Sequence, residues 1–179
     1  MPFVRICFFV LGVFSLGLSQ SLPLMVGGVL ETGAGLLNEG RSGQGLVRIT
    51  PFVGAWLPQW GYARVGYGLW DYSAKDSTGN GLRVEQRDLS LQLAVALGGA
   101  DRPYIMLSYV RAKSLSNLGD SDWSEWGGGV GNRFQLSPFA AFVTEVEYRK
   151  INKHYDRLRA VDVSGTRLQI NAGLAIYLY

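Results

Sequence analysis

The chain has 179 residues, which suits a single domain, and its mean hydropathy of +0.10 is close to neutral. Hydrophobic residues make up 47% and charged residues 17% of the sequence, a balance that excludes both a helical membrane protein and a disordered chain. The net charge of +3, without any Lys/Arg run, gives no support for nucleic-acid binding.

The N-terminal residues carry the pattern of a secretory signal peptide. Arg5 supplies a short basic start, and residues 6–18 form an apolar run that is too short to cross a membrane as a helix. Small residues then place cleavage after Ser19 or Ser21, so we assign residues 1–21 to the signal and 22–179 to the mature domain. The alternative is an N-terminal membrane anchor. Cys7 lies in the apolar run, so the mature chain has no cysteine and no disulfide framework.

Eight strands are predicted after the signal, each from alternating residues bounded by Gly, Pro, Asn, Asp or Ser. In chain order they cover residues 24–35, 46–57, 60–73, 82–97, 104–112, 123–136, 139–151 and 167–179. The connections after the second, fourth and sixth strands are predicted to be tight, and the others to be longer and more polar. This asymmetry is typical of outer-membrane barrels, and eight is the smallest strand number that they commonly use.

The last strand shows the alternation most clearly. Its even positions from Leu168 to Leu178 are all apolar, whereas its odd positions begin with Arg167, Gln169 and Asn171. The run is longer than a typical globular strand and about as long as a tilted strand that crosses a bilayer. We therefore expect an apolar face towards lipid and a polar face towards the barrel interior.

The polar faces of the strands share a balanced set of charges. When the alternation is aligned, five acids and five arginines fall on them: Glu31, Arg48, Arg64, Asp88, Glu125, Arg133, Glu145, Glu147, Arg149 and Arg167. All four lysines (Lys75, Lys113, Lys150 and Lys153) lie instead at the strand ends beside the longer loops. Because an unpaired buried charge is costly and Arg pairs bidentately with carboxylates, this set predicts a structural ion network inside the barrel.

Two further patterns favour a membrane barrel over a soluble one. Rows such as 89–97 are simply aliphatic, and they would overfill the centre of a small soluble barrel. Aromatic residues gather in two belts, as at the interfaces of membrane barrels. The belts are predicted at the tight-turn end (Trp56, Trp60, Tyr104, Phe134, Phe139, Tyr177 and Tyr179) and at the loop end (Trp70, Tyr72, Tyr109, Trp123, Trp126, Tyr148 and Tyr155).

Glycines also fall on the predicted inner face, at Gly66 and Gly68 and at Gly127, Gly129 and Gly131. We interpret them as space for inward Arg and Tyr side chains, with simple coiling of the sheet as the alternative.

The mature chain resembles the small outer-membrane β-barrel family of the OmpA/OmpX type. The matching stretches are residues 51–55 (PFVGA), 126–131 (WGGGVG), 133–138 (RFQLSP), 145–149 (EVEYR) and 162–168 (DVSGTRL), with the terminal strand. The resemblance implies an eight-stranded antiparallel up-and-down barrel in a bacterial outer membrane, without cofactors. It also implies outer-membrane lipids including lipopolysaccharide as partners, assembly by periplasmic chaperones and the barrel-assembly machinery, and a monomeric state. One departure is that Leu178, rather than the terminal aromatic, is predicted to face lipid.

Residues with catalytic or metal-binding chemistry are few. His154 is the only histidine, and it has no evident pairing with Ser164, so we interpret it as a loop residue and the chain as non-enzymatic. Asp120, Asp122 and Asp76 would bind divalent cations only weakly, since their spacing matches no calcium loop. We therefore assign no catalytic, cofactor or metal site.

The leading hypothesis is a structural or surface-contact barrel with a plugged interior. A narrow channel for water or small solutes through the Arg/Glu network is one alternative. The other is an exported, soluble, lipocalin-like binding barrel with the two faces reversed.

Overall fold

The structure is a computed structural model that describes residues 23–37, 46–57, 60–75, 79–98, 103–116, 119–156 and 160–178. The predicted signal peptide therefore lies outside the described residues. These ranges form eight strands: β1 (Leu24–Leu37), β2 (Leu46–Leu57), β3 (Gly61–Lys75), β4 (Gly81–Ala96), β5 (Pro103–Ser116), β6 (Ser121–Ser137), β7 (Ala140–Asp156) and β8 (Val161–Leu178). Within them, no helix is long and apolar enough to cross a membrane.

The strands close into a single antiparallel barrel. Each strand pairs with the next along the chain, and β8 returns to pair with β1, from Leu24 opposite Leu178 to Leu37 opposite Gly165. Closure gives every strand two neighbours, so the sheet has no free edge. The predicted all-β, eight-stranded, up-and-down topology is confirmed.

The strands extend further towards the longer loops than the sequence predicted. β7 continues to Asp156, and β8 already begins at Val161, where a loop was expected. The register shifts between Ile151 and His154, after which His154 pairs with Val163. Such a bulge adds a residue on one strand without ending the ladder, so this polar segment continues the two strands instead of forming the predicted loop.

The predicted contrast between tight and long connections is therefore partly wrong. The turn after β6 is short, at residues 138–139, but the connection after β4 covers 97–102 and is longer than those after β5 (117–120) and β7 (157–160). The extra strand length at the loop end has shortened the loops that were expected to be long.

Aliphatic side chains lie on the outer wall of the barrel. Leu107 is 70% exposed, and Leu93 and Leu168 are both more than half exposed. Their neighbours Met106, Gln92 and Gln169 point inward and are buried. This arrangement contradicts the soluble, lipocalin-like alternative, which requires the aliphatic rows to meet inside.

The aromatic belts are only partly as predicted. Trp60 and Phe139 at the turn end, and Trp126 and Tyr148 at the loop end, are exposed on the outer wall. Trp56, Tyr104 and Tyr177, however, are buried inside the barrel. The prediction was wrong for these three because it used their position along the strand and ignored the face given by the alternation. The side chains of Trp70, Tyr72 and Tyr179 lie outside the described residues.

Two inner glycines allow large inward side chains on the neighbouring strands to lie over them. A Cβ atom at Gly131 would lie 2.5 Å from the Tyr104 ring, and one at Gly127 would lie 2.5 Å from Cγ of Arg149. Both approaches are too close for any side chain, so the glycines make room for an inward Tyr and an inward Arg, in agreement with the interpretation from the sequence.

Candidate functional site: the charged interior

The structure places all ten charged residues of the predicted network on the inner face of the barrel. Those on β1 to β4 and on β7 are at most 7% exposed, whereas Arg133 on β6 and Arg167 on β8 are half-buried. Glu125 on β6 is 1% exposed. The inner face follows from strict alternation, since every second residue of a strand points to the same side.

Glu145 is the centre of the largest cluster. Its carboxylate accepts hydrogen bonds from Nη2 of Arg64 at 2.7 Å and from the hydroxyls of Tyr62 and Tyr104 at 2.8 and 2.9 Å. Nδ2 of Asn171 adds a fourth donor at 3.0 Å. Four donors and one positive charge compensate for the loss of water around a fully buried carboxylate.

The Arg64–Glu145 ion pair crosses the interior. Arg64 lies on β3 and Glu145 on β7, which are four strands apart in the closed barrel of eight and therefore on opposite walls. The Arg64 guanidinium also lies 4.8 Å from the centre of the Phe52 ring. At this level side chains from opposite walls are in contact.

A second cluster is centred on Arg48, nearer the loop end. Its guanidinium pairs with Glu31 on the preceding strand and with Asp88 on β4. Nε2 of Gln169 donates to Glu31, and Nε2 of Gln86 donates to Asp88 at 3.0 Å. One arginine is thus shared by two buried acids, and two amides supply the remaining donors.

The remaining acids lie between these clusters and the loop end. Glu147 pairs with Nη2 of Arg149 at 2.7 Å and also accepts a hydrogen bond from Ser108. Glu125 lies 3.3 Å from Nη2 of Arg167 and accepts from Nε1 of Trp123 at 3.1 Å. Each of the five predicted acids is therefore within ion-pair distance of a predicted arginine.

Arg133 has different surroundings at the tight-turn end. Its guanidinium lies 4.1 Å from the centre of the Trp56 ring and 5.6 Å from that of Tyr177, and its Nη1 donates to the Tyr177 hydroxyl at 3.2 Å. Trp56 also stacks on Tyr62 at 6.0 Å. The aromatic residues thus hold an arginine at this mouth through cation–π contacts.

Several buried polar atoms in the described interior have no hydrogen-bond partner in the protein. They include Nε and Nη1 of Arg149, Oε2 of Glu125, Oε1 of Gln169 and Oδ1 of Asn171. Buried polar atoms are nearly always paired, either with protein or with water. These donors and acceptors are therefore positions where water would complete the network.

The sequence analysis missed the neutral partners of the network. Tyr62 and Tyr104 hold Glu145, Trp123 holds Glu125, and Gln86 holds Asp88. Strand alternation places each of these residues on the inner face, together with the charged residues. The alternation therefore predicts that these donors point inward, but it does not predict which acid each donor contacts.

The residues with other possible chemistry have ordinary contacts. The His154 ring stacks on Trp123 at 5.0 Å, and its Nδ1 lies 3.1 Å from the backbone oxygen of Asn152. Asp120 and Asp122 pair with Lys113 and Arg111 on the outer wall. Asp76 lies outside the described residues, and among those described no three His, Cys, Asp or Glu side chains are grouped to hold a metal ion.

The comparisons with known proteins agree at the level of fold. Neisserial surface protein A matches with a TM-score of 0.59 at 13% identity, over 86% of this chain and 96% of that chain. The outer membrane protein AlkL, solved in lipid bilayers, matches with a TM-score of 0.50 at 13% identity, over 88% of this chain and 90% of that chain. No family model and no curated protein matches the sequence. The expected resemblance to small outer-membrane barrels is thus confirmed for the fold.

Proposed function

We propose that this protein is an integral outer-membrane β-barrel whose interior is plugged by its own charged side chains, with a structural or surface-contact role. The contact that supports this best is the buried Arg64–Glu145 pair, which joins opposite walls inside a barrel whose aliphatic residues point outward. The fold shared with two outer-membrane proteins supports the same location.

The height of the outer aliphatic band fits a membrane. On β8 the exposed row runs from Leu168 to Leu178. At about 3.3 Å per residue this row is about 33 Å long, or about 25 Å along the axis of a barrel whose strands tilt by about 40°. Outer-membrane barrels carry an apolar band of about this height, flanked by aromatic residues such as Trp60 and Trp126 here.

Membrane insertion is tested by cell fractionation combined with heat-modifiability on a denaturing gel. We expect the protein to remain in the outer-membrane fraction after urea or carbonate extraction, and its unheated form to migrate differently from its heated form. Extraction without detergent would contradict the proposed location. Assembly as a monomer, through periplasmic chaperones and the barrel-assembly machinery, belongs to the same proposal.

Plugging is tested by conductance in a planar bilayer. The wild-type protein is expected to show no steady level above leak, whereas the double substitution Arg64→Ala/Glu145→Ala removes the side chains that join the two walls and should open a conducting path. The matched control is Arg111→Ala/Asp122→Ala, which removes an ion pair of the same type from the outer wall. Conductance of the wild-type protein would contradict plugging.

A narrow water channel is the second candidate. It is favoured by the buried atoms without protein partners, notably Nε and Nη1 of Arg149 and Oε2 of Glu125. Water bound at these atoms would occupy part of the interior, and a channel requires that such water continue past the Arg64–Glu145 pair. Osmotic swelling of proteoliposomes tests this: water permeability above that of empty liposomes favours the channel, and equal permeability favours a sealed plug.

We propose no catalytic role. His154 stacks against Trp123, and the buried acids are compensated by arginines and neutral donors. Ion pairs and hydrogen bonds with these partners give the acids a structural role in the interior.

A further inference from the structure

The outer wall of β4 and β5 changes from aliphatic to cationic towards the loop end, one outward position earlier on β5 than on β4. On β4 the outward residues run through Leu93 and Leu89 to Arg87, and on β5 they run through Leu107 and Tyr109 to Arg111. The next outward residue on β5 is Lys113. Under the proposed function, this change marks the boundary between the hydrocarbon and the headgroups of the leaflet at the loop end.

An open pocket of about 330 Å³ lies at this boundary. It is lined by the cationic residues Arg87, Arg111 and Lys113, by the apolar side chains of Leu89 and Tyr67, and by Asp122 and Asp88, of which Asp88 is buried and belongs to the interior network. We call it the cationic pocket. It differs from the charged interior because it opens towards the surroundings of the barrel rather than into the lumen.

The register brings like charges together in this pocket. Arg87 lies directly opposite Lys113 on the paired strand, and Arg111 lies opposite Leu89, the next outward position. Like charges directly opposite each other in a sheet are destabilising. On its other side Lys113 lies opposite Asp122 of β6, so three cations share the acids of this face and a further anion that contacts all three would relieve their repulsion.

The carboxylates around the pocket pair with the cations only at exposed positions. Glu85 accepts from Nε of Arg87 at 2.6 Å, Asp122 lies 2.7 Å from Nη2 of Arg111, and Asp120 lies 2.6 Å from Nζ of Lys113. All six side chains are between 40% and 51% exposed. Exposed pairs of this kind contribute little, so a phosphate with several acceptor oxygens can compete for the same donors.

We propose that the cationic pocket binds the phosphate of a phosphorylated lipid headgroup in the leaflet at the loop end, an inference that rests on the proposed membrane location. The apolar side chains of the pocket distinguish a lipid from a soluble anion. Leu89 and Tyr67 continue the outer aliphatic row towards Leu93, so an acyl chain can lie along this row while its phosphate meets the arginines. Basic side chains at the membrane surface attract anionic headgroups in this way.

The test measures lipid retention by native mass spectrometry of the barrel in mixed micelles. The probe is dioleoyl phosphatidic acid, with dioleoyl phosphatidylcholine of the same chain length as the neutral-headgroup control. We expect preferential retention of phosphatidic acid, and at least about tenfold weaker retention by the triple variant Arg87→Gln/Arg111→Gln/Lys113→Gln, because each surface cation contributes to headgroup attraction. Added inorganic phosphate should compete only weakly, since it lacks the acyl chains.

Two further variants complete the design. Lys153→Gln is the matched control. Lys153 is also an exposed cation at the loop end, where its hydrogen bond to Asp162 raises its pKa. It lies on β7, away from the cationic pocket. It should retain the lipid within about twofold of wild type. Asp122→Asn removes the competing carboxylate from Arg111 and should tighten retention, a gain that a purely structural role would not produce.

The outcomes separate the two proposals. Heat-modifiability of each variant reports whether the barrel has formed, and membrane extraction reports the proposed location. A folded, membrane-retained barrel that binds both lipids equally, or whose triple variant and Lys153→Gln lose the same amount, would overturn the lipid site alone. Equal competition by inorganic phosphate would also overturn it, since the pocket would then be a site for soluble anions.

Discussion

Ion pairs occur in two regions of this barrel, and their surroundings differ. Inside, the Arg64–Glu145 pair has side chains that are 8% and 0% exposed and is held by two tyrosines and an amide. On the outer wall, the Arg111–Asp122 pair has the same 2.7 Å separation, but its side chains are 50% and 45% exposed. The N–O distances of the two ion pairs are equal, and the pairs differ in burial and in the number of further donors.

This difference indicates what each pair does. A buried charge that loses its partner is left uncompensated, so the Arg64–Glu145 pair fixes which walls meet. An exposed pair exchanges readily with water or a ligand, so the outer pairs do little for stability and remain available for binding. The predictions below test this contrast, from the largest expected effect to the smallest.

The largest effect is expected from Arg64→Ala. It leaves the buried Glu145 with neutral donors only, and breaking such a pair typically costs about 3–5 kcal/mol. Equilibrium urea unfolding in lipid vesicles measures the cost. The double variant Arg64→Ala/Glu145→Ala should lose less than the two single variants added together, because it leaves no lone charge. A loss below about 1 kcal/mol for Arg64→Ala would show that the pair is not buried as described.

A charge placed on the outer aliphatic band should have the next largest effect. Leu93 lies about midway along its row on β4 and is 51% exposed to the outside. Leu93→Arg is expected to cost about 2–4 kcal/mol in vesicles, because an arginine at the bilayer midplane loses its water. Leu93→Met on the same side chain is the control for lost packing. An unfolding free energy unchanged by Leu93→Arg would contradict a lipid-facing wall.

Filling the space at an inner glycine should be less costly. A Cβ atom at Gly131 would meet the Tyr104 ring at 2.5 Å, and Gly131→Ala should destabilise the barrel by about 1–3 kcal/mol through overpacking. Gly128→Ala on the same strand is the matched control, since its nearest neighbours would lie 3.5 Å away on the outer side. Urea midpoints of the two variants give the comparison, and equal shifts would argue against a filled interior.

The smallest effect is expected from Arg111→Gln. In vesicles without anionic lipid, loss of its exposed pair with Asp122 should change the unfolding free energy by at most about 1 kcal/mol. The same urea experiment serves here, with Arg64→Ala as the buried counterpart. If Arg111→Gln proved as destabilising as Arg64→Ala, the distinction between the two regions would fail.

Much of the fold was predictable because strand alternation assigns each residue to a face. Alternation alone predicts the outward aliphatic rows of β4 and β8 and the inward charged residues. It also predicts that Gly127 and Gly131 face inward. Parity applied consistently would also have placed Trp56 and Tyr177 inside. Their assignment to an outer belt was wrong because it relied on position along the strand.

Other features depend on distances that the sequence does not contain. The Arg64–Glu145 contact joins opposite walls, so it depends on barrel closure and strand stagger rather than on spacing along the chain. The bulge between Ile151 and His154 shifts the register of a polar segment that has the composition of a loop. The cationic pocket likewise arises from cross-strand register, which places Arg87 opposite Lys113.

The central statement of this account is that aliphatic side chains face lipid while charged side chains face one another inside. Spin labels on cysteines introduced singly at residues 104 to 109 of β5, in vesicles, test it most directly. The account predicts high accessibility to oxygen at Leu107 and Ile105, and low accessibility to both oxygen and a water-soluble relaxation agent at Met106 and Ser108, which are buried. High accessibility of Leu107 to the water-soluble agent, or an alternation with the opposite phase, would contradict it.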